Sequence, residues 1–187
     1  MRPTTPRIAP LDEHTIPPEI REALGGAPGG GQVLNIFRTL ARHPKLLKRW
    51  LVFGSHILAK STLSPRHREI LILRTGWLCQ AEYEFAQHVA IGRLAGLSDP
   101  DIQRIVDGPD AAGWDTFEAG LVRAADELRR DACVTDATWQ TLATQYSEEQ
   151  LIDALFTVGQ YTLVSMALNS LGVPLDAGLV GFAPWRR

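Results

Sequence analysis

Cysteine is scarce: Cys79 and Cys133 are the two in 187 residues. They stand far apart, and no secretory leader is read ahead of them, so two reduced thiols are expected rather than a structural disulfide. Long apolar runs are lacking too. No stretch approaches the roughly 20 uninterrupted apolar residues that cross a bilayer, and Pro and charge break up the N-terminal region where a signal core would lie. A cytoplasmic protein without a membrane role is expected. Neither sign of charge dominates, with 19 Lys plus Arg against 21 Asp plus Glu. A polyanion such as nucleic acid is therefore not the expected partner, and a small molecule is. Sustained period-two alternation is also missing, and β-branched residues are scattered, which leaves little basis for strands.

What remains is helical. The length suits one domain with a single buried core. Residues 1–32 carry Pro3, Pro6, Pro10, Pro17, Pro18 and Pro28, then Gly29, Gly30 and Gly31. This composition predicts an irregular arm with room for one short helix from Pro18 to Leu24, either packed on a neighbouring subunit or left as a disordered tail. From Leu34 the apolar spacing turns helical. It predicts helices over Asn35 to Arg42, Pro44 to Ala59 and Ser64 to Leu78, the last begun by a Ser-Pro cap, and over Ala81 to Leu94. Ser98 with Asp101 reads as a capping box for a short helix ending by Gly108. Asp115 to Arg130 and Asp136 to Gln145 follow. Ser147 with Gln150 is a second capping box, opening a helix that runs to about Leu171, where Gly172 and Pro174 stop it. This last helix is apolar nearly all round, which demands burial on several faces, within the domain or between subunits. The expected architecture is an all-α bundle, with residues 33–176 as the folded domain and 177–187 as a tail.

The chemistry concentrates between Ser64 and His88. Glu84 and His88 are four apart on one helix, so their side chains meet. A carboxylate on one imidazole nitrogen fixes the tautomer and leaves the other nitrogen to exchange a proton with a substrate. Glu69 lies near the start of the preceding helix and reaches the same face if the two helices pack antiparallel. Such crowding separates proton affinities as acid and base roles require. An exposed helix pair is the plainer alternative for Glu84 and His88. Metal binding by Glu69, Glu84 and His88 lacks a second ligand motif nearby, so no metal and no cofactor are expected. Cys79 falls on the opposite side of the helix from His88 unless the chain breaks near Gly76 to Gln80, and reads as buried filler or as a thiol candidate. Arg74, inside an apolar run, needs a partner: an acidic residue of another helix, or a substrate carboxylate. Phe53, Trp77, Tyr83 and Phe85 are candidate pocket walls, with ordinary core as the alternative.

Thr62-Leu-Ser-Pro-Arg-His-Arg-Glu-Ile-Leu-Ile-Leu-Arg74, Cys79-x3-Tyr-Glu-Phe-x2-His88, Gly96-Leu-Ser98 and the segment Gln160 to Asp176 together resemble the carboxymuconolactone decarboxylase family, which shares its fold with alkyl hydroperoxidase D. The resemblance covers about residues 34 to 176. It implies an alkyl hydroperoxidase D-like helical bundle, a homo-oligomer of three or six chains, and a small cyclic carboxylic acid or lactone held in an apolar pocket. In the peroxidase branch, a Glu precedes Cys-x-x-Cys-x3-His. Matching Glu69 and His88 to that pattern puts Ala81 and Glu84 at the thiol positions, with Cys79 two residues out of register. The resemblance therefore implies the thiol-independent, decarboxylase-like branch: His88 moves the proton, Glu84 orients His88, Glu69 completes the relay and Arg74 anchors a carboxylate. A peroxidase using Cys79, or a binding protein on the same fold, are the alternatives.

Overall fold

The computed structural model describes residues 3–24 and 33–186. Among them are nine α-helices and no strand: α1 (Pro18–Ala23), α2 (Asn35–Leu40), α3 (Pro44–Ser55), α4 (Pro65–Leu78), α5 (Glu82–Leu94), α6 (Asp99–Asp107), α7 (Thr116–Asp131), α8 (Asp136–Ala143) and α9 (Glu148–Leu171). The helix starts follow side-chain chemistry. Ser64 accepts from the His67 N–H with Pro65 at the first helical position, and Ser98 with Asp101 and Ser147 with Gln150 form complete capping boxes. The ends differ by a residue or two from the pattern-based expectation. After Ser55 the chain winds into a π-helical turn, His56–Lys60, where a plain α-helix to Ala59 was expected.

Helix α4 is the axle of the bundle. Eight consecutive residues from Glu69 to Gly76 are buried, so α4 is covered by helices on all sides, and α5, α6, α7 and α9 pack against it. Ile70, Leu71, Leu73, Phe85, Ile105, Leu121, Ala125 and Val158 form the main core. Burial of a side chain of this kind stabilises by about 1.5–3 kcal/mol.

Both terminal segments pack on their own chain. The Arg7 N–H donates to the Leu171 carbonyl (2.8 Å) at the end of α9, and Ile16 and Ile20 enter a second core with Val33, Ala41 and Leu47. The described part of the arm is thus anchored on its own chain through Ile16 and Ile20, while most of residues 4–15 stay exposed; Pro28 and Gly29 to Gly31 lie outside the described residues. At the other end Phe182 and Trp185 insert into the main core against Phe85, so residues 177–186 pack as part of the bundle.

By length and composition α9 could cross a bilayer, with a mean hydropathy of 1.4 over an 18-residue window, yet 56% of that window is buried in the bundle. Leu151, Val158, Tyr161 and Ser165 face inward. Ile152, Phe156, Leu163 and Met166 form a stripe more than half exposed, so α9 buries fewer faces within one chain than its composition implies.

Candidate active site

The site is built by α4 and α5, which are joined by a three-residue turn. Cys79 ends α4, Gln80 takes a left-handed backbone (φ 50°) and the Ala81 N–H donates back to the Gly76 carbonyl (2.8 Å). This reversal lays α5 antiparallel along α4. Gly92 allows the close approach at the far end: a Cβ there would sit 3.0 Å from Leu97 and 3.3 Å from Leu73. Positions 69, 84 and 88 are thereby brought together.

His88 is held at both ring nitrogens. Nδ1 lies 2.6 Å from Glu69 Oε2 and Nε2 lies 3.0 Å from Glu84 Oε1. Behind them Arg68 Nε donates to Glu69 Oε1 (3.1 Å). Glu69 is fully buried, and the His88 and Glu84 side chains are 6% and 5% exposed. Burial alone would lower the proton affinity of His88, but the charges and hydrogen bonds of Glu69 and Glu84 outweigh it and raise its pKa to about 10. The ring is therefore an imidazolium at neutral pH, hydrogen-bonded to Glu69 through Nδ1 and ion-paired with Glu84 on its Nε2 side. The edge of Tyr161 packs against it at 4.9 Å between ring centroids. Burial, reinforced by Glu84 and Glu69, pushes the Tyr161 phenol well above its ordinary value.

This corrects one expectation. Sequence spacing gave His88 one orienting carboxylate and one nitrogen open to substrate; instead both nitrogens are occupied. The charges run Arg68, Glu69, His88, Glu84 with alternating sign, and the chain ends at a cavity of about 160 Å3. Glu84 and His88 line this cavity, whereas Glu69 lies behind the imidazole and does not. Its remaining walls come from α2, α3, α5 and α9 and include Ile36, Trp50, Ser55, Tyr83, Gln160 and Tyr161. A larger groove of about 440 Å3 near Trp114 and Thr141 is remote from this chemistry, and its ion pair, Arg123 with Asp110, is exposed.

Of the expected pocket walls, Tyr83 alone lines the cavity. Its hydroxyl donates to Asp176 and accepts from the Ile36 N–H (3.2 Å) and Gln87 Nε2 (3.2 Å). Arg74 is not a substrate anchor. It forms a fork on Asp126 (2.6 and 2.9 Å) and donates to the Ile105 and Val106 carbonyls at the end of α6 (2.8 and 2.9 Å). Trp77 and Phe85 belong to the aromatic core around Phe182, and Phe53 pairs with Phe156 on the outer surface. Cys79 is buried at the turn, is not disulfide-bonded and does not line the cavity. Trp50, Gln160 and Tyr161 were not foreseen as cavity residues. Gln160 and Tyr161 begin the last quoted segment, which was the available signal, while Trp50 stands on the apolar side of α3 without any polar partner motif. Among the described residues no group of three or more His, Cys, Asp and Glu is placed to hold a metal ion.

Residues 44–127 match the carboxymuconolactone decarboxylase family. No curated protein sequence matches the chain. Among solved structures, an alkylhydroperoxidase D core protein from Ralstonia eutropha JMP134, described as an uncharacterized peroxidase-related protein, superposes with a TM-score of 0.78 at 20% identity, covering 92% of this chain and 95% of that one. An uncharacterized peroxidase-related protein from Silicibacter sp. TM1040 gives 0.76 at 16% identity, with 94% and 95% covered. The debrominase Bmp8, solved in complex with 2,3,4-tribromopyrrole, gives 0.73 at 14% identity, with 93% and 94% covered. Residues 44–127 are thus similar to the carboxymuconolactone decarboxylase family, and the chain takes the alkyl hydroperoxidase D-like fold.

Proposed function

We propose that this chain is a thiol-independent acid–base enzyme related to the carboxymuconolactone decarboxylases, acting by proton transfer on a small ring compound in the cavity beside Glu84. The observation that carries this reading is the buried line of alternating charges ending at that cavity. Glu84 is the carboxyl group of this line that reaches the cavity lining, and the His88 ring stands 3.0 Å behind it, which places Glu84 to act as the base. Glu84 takes the proton from the substrate. His88, through Nε2–H, steadies the carboxylate before and after the transfer, while Glu69 and Arg68 hold the imidazolium in place. The sequence-based assignment is thus inverted at one point: Glu84 meets the substrate, and His88 is the group that supports it.

Two alternatives have weaker support. A Cys79 peroxidase needs the thiol at the reacting centre, and Cys79 is absent from the cavity lining. A binding protein that had lost catalysis would not need to retain three ionisable side chains at 6% exposure or less beside a hollow.

Proton exchange provides the test. A panel of small lactones and cyclic ketones in heavy water, followed by NMR, reads the removal of a ring C–H proton. Glu84→Gln is expected to slow exchange by at least about 100-fold, the usual worth of a positioned general base, with the helical circular dichroism unchanged. Cys79→Ser is expected to retain the wild-type rate. Full exchange activity in Glu84→Gln removes Glu84 from the mechanism, and loss in Cys79→Ser restores the thiol reading.

A further inference from the structure

The charges around the cavity narrow what it can hold. Among the described residues its lining includes no Lys and no Arg. The arginines of α4 are committed elsewhere: Arg66 to Glu118 and Asp101, Arg68 to Glu69, and Arg74 to Asp126. The positive group on the lining, His88, is already shared between two carboxylates at 2.6 and 3.0 Å. A ring carboxylate entering this hollow would face Glu84 without a cation of its own, and an unpaired buried charge beside a like charge is strongly disfavoured.

We infer that the cavity takes an uncharged ring-sized molecule and turns away the same ring bearing a carboxylate. This deepens the function proposed above and rests on the Glu84 carboxyl group facing the ligand. Size agrees: the cavity volume of about 160 Å3 is close to the roughly 150 Å3 in which a dry protein cavity holds benzene. Trp50, Leu58, Ile91 and Val164 offer apolar walls for the ring, and Ser55 and Gln160 offer polar groups for a ring carbonyl.

The substrate class follows. Release of carbon dioxide starts from a carboxylate, which this cavity does not accommodate, so the reaction is proton transfer beside a ring carbonyl, in a lactone or a cyclic ketone. The C–H bond breaks, its proton passes to a Glu84 oxygen, and the electron pair moves onto the carbonyl oxygen as an enolate. Return of the same proton to that carbon or to a conjugated one completes an exchange or an isomerisation. No oxidant or reductant is consumed.

A matched pair of probes decides the matter. Benzamide and benzoate have nearly the same shape and differ in charge. Titration calorimetry at neutral pH on the wild-type protein is expected to show benzamide binding at least about tenfold more tightly than benzoate, the direction set by an uncompensated buried charge. In Glu84→Gln the gap is expected to shrink to less than about threefold, since the repelling charge is gone. Equal or tighter binding of benzoate overturns the inference, because it requires a cation the lining does not supply, and so does failure of benzamide to bind. Neither result depends on turnover, so the acid–base role of Glu84 is judged separately by the exchange assay.

Discussion

His88 decides the electrostatics of the site because both of its nitrogens are engaged by carboxylates. A folded-state pKa of about 10 against an ordinary 6.5 means that the native protein binds the ring proton more tightly than the unfolded chain does. The stabilisation is fully present below about pH 6.5 and is lost as pH rises through about 10. The 15N chemical shifts of the His88 ring are therefore expected to report two protonated nitrogens at pH 8, where an ordinary histidine is neutral. A neutral ring at that pH would show that the two carboxylates do not hold the charge. The pairing of Glu84 with His88 was legible from four-residue spacing alone, because helical geometry places those side chains together. The second carboxylate contact was only half legible. Spacing within α5 says nothing of how closely α4 approaches, which is settled by Gly92 and the packing around it.

At the scale of elements, Arg74 shows how a buried cation narrows its own role: of the two partners open to it, an acidic residue of another helix and a substrate carboxylate, it has the first. An arginine inside Leu71-Ile-Leu-Arg-Thr-Gly-Trp had to have a partner, and it has one: Asp126, together with two carbonyls at the end of α6. It fastens α4 to α7 and α6, far in function from the cavity. Arg74→Met leaves Asp126 without its cation and two carbonyls without donors, and is expected to destabilise the fold by about 3–5 kcal/mol, measured by urea unfolding. Exchange activity per folded molecule should be retained; a selective loss of activity at full stability would return Arg74 to the site. Helix positions and caps were legible because Ser64, Ser98 and Ser147 are strong local signals. The π-helical turn after Ser55 was not, since the apolar spacing runs on through Ile57 and Leu58, and Gly54, just ahead of the change, fits the apolar side of a continuous helix. Trp77 and Phe85 take the core alternative and Phe53 neither of the two, because an aromatic at helical spacing gives no indication of which neighbouring helix it will meet.

Over the whole molecule, the exposed stripe of α9 is the largest departure from what a single chain requires. Ile152, Phe156, Leu163 and Met166, with Phe53 of α3 against Phe156, expose apolar area on one side of the bundle, and patches of this kind mark association surfaces. The protein is expected to sediment as a species heavier than one chain, and Phe156→Glu with Leu163→Glu is expected to shift it to the monomer. A wild-type monomer at micromolar concentration would show that the stripe is merely tolerated. The assignment of residues 177–187 to a tail missed the insertion of Phe182 and Trp185, because nothing in a short Gly- and Pro-containing segment announces what it docks against. The order of synthesis adds a last consequence. Arg68, Glu69, Glu84 and His88 leave the ribosome well before Gln160 and Tyr161, which wall the cavity, and before Asp176, whose bond to Tyr83 spans 93 positions. During translation the charged quartet is therefore made before its walls, and the hollow is complete only when the late-made segments settle over it.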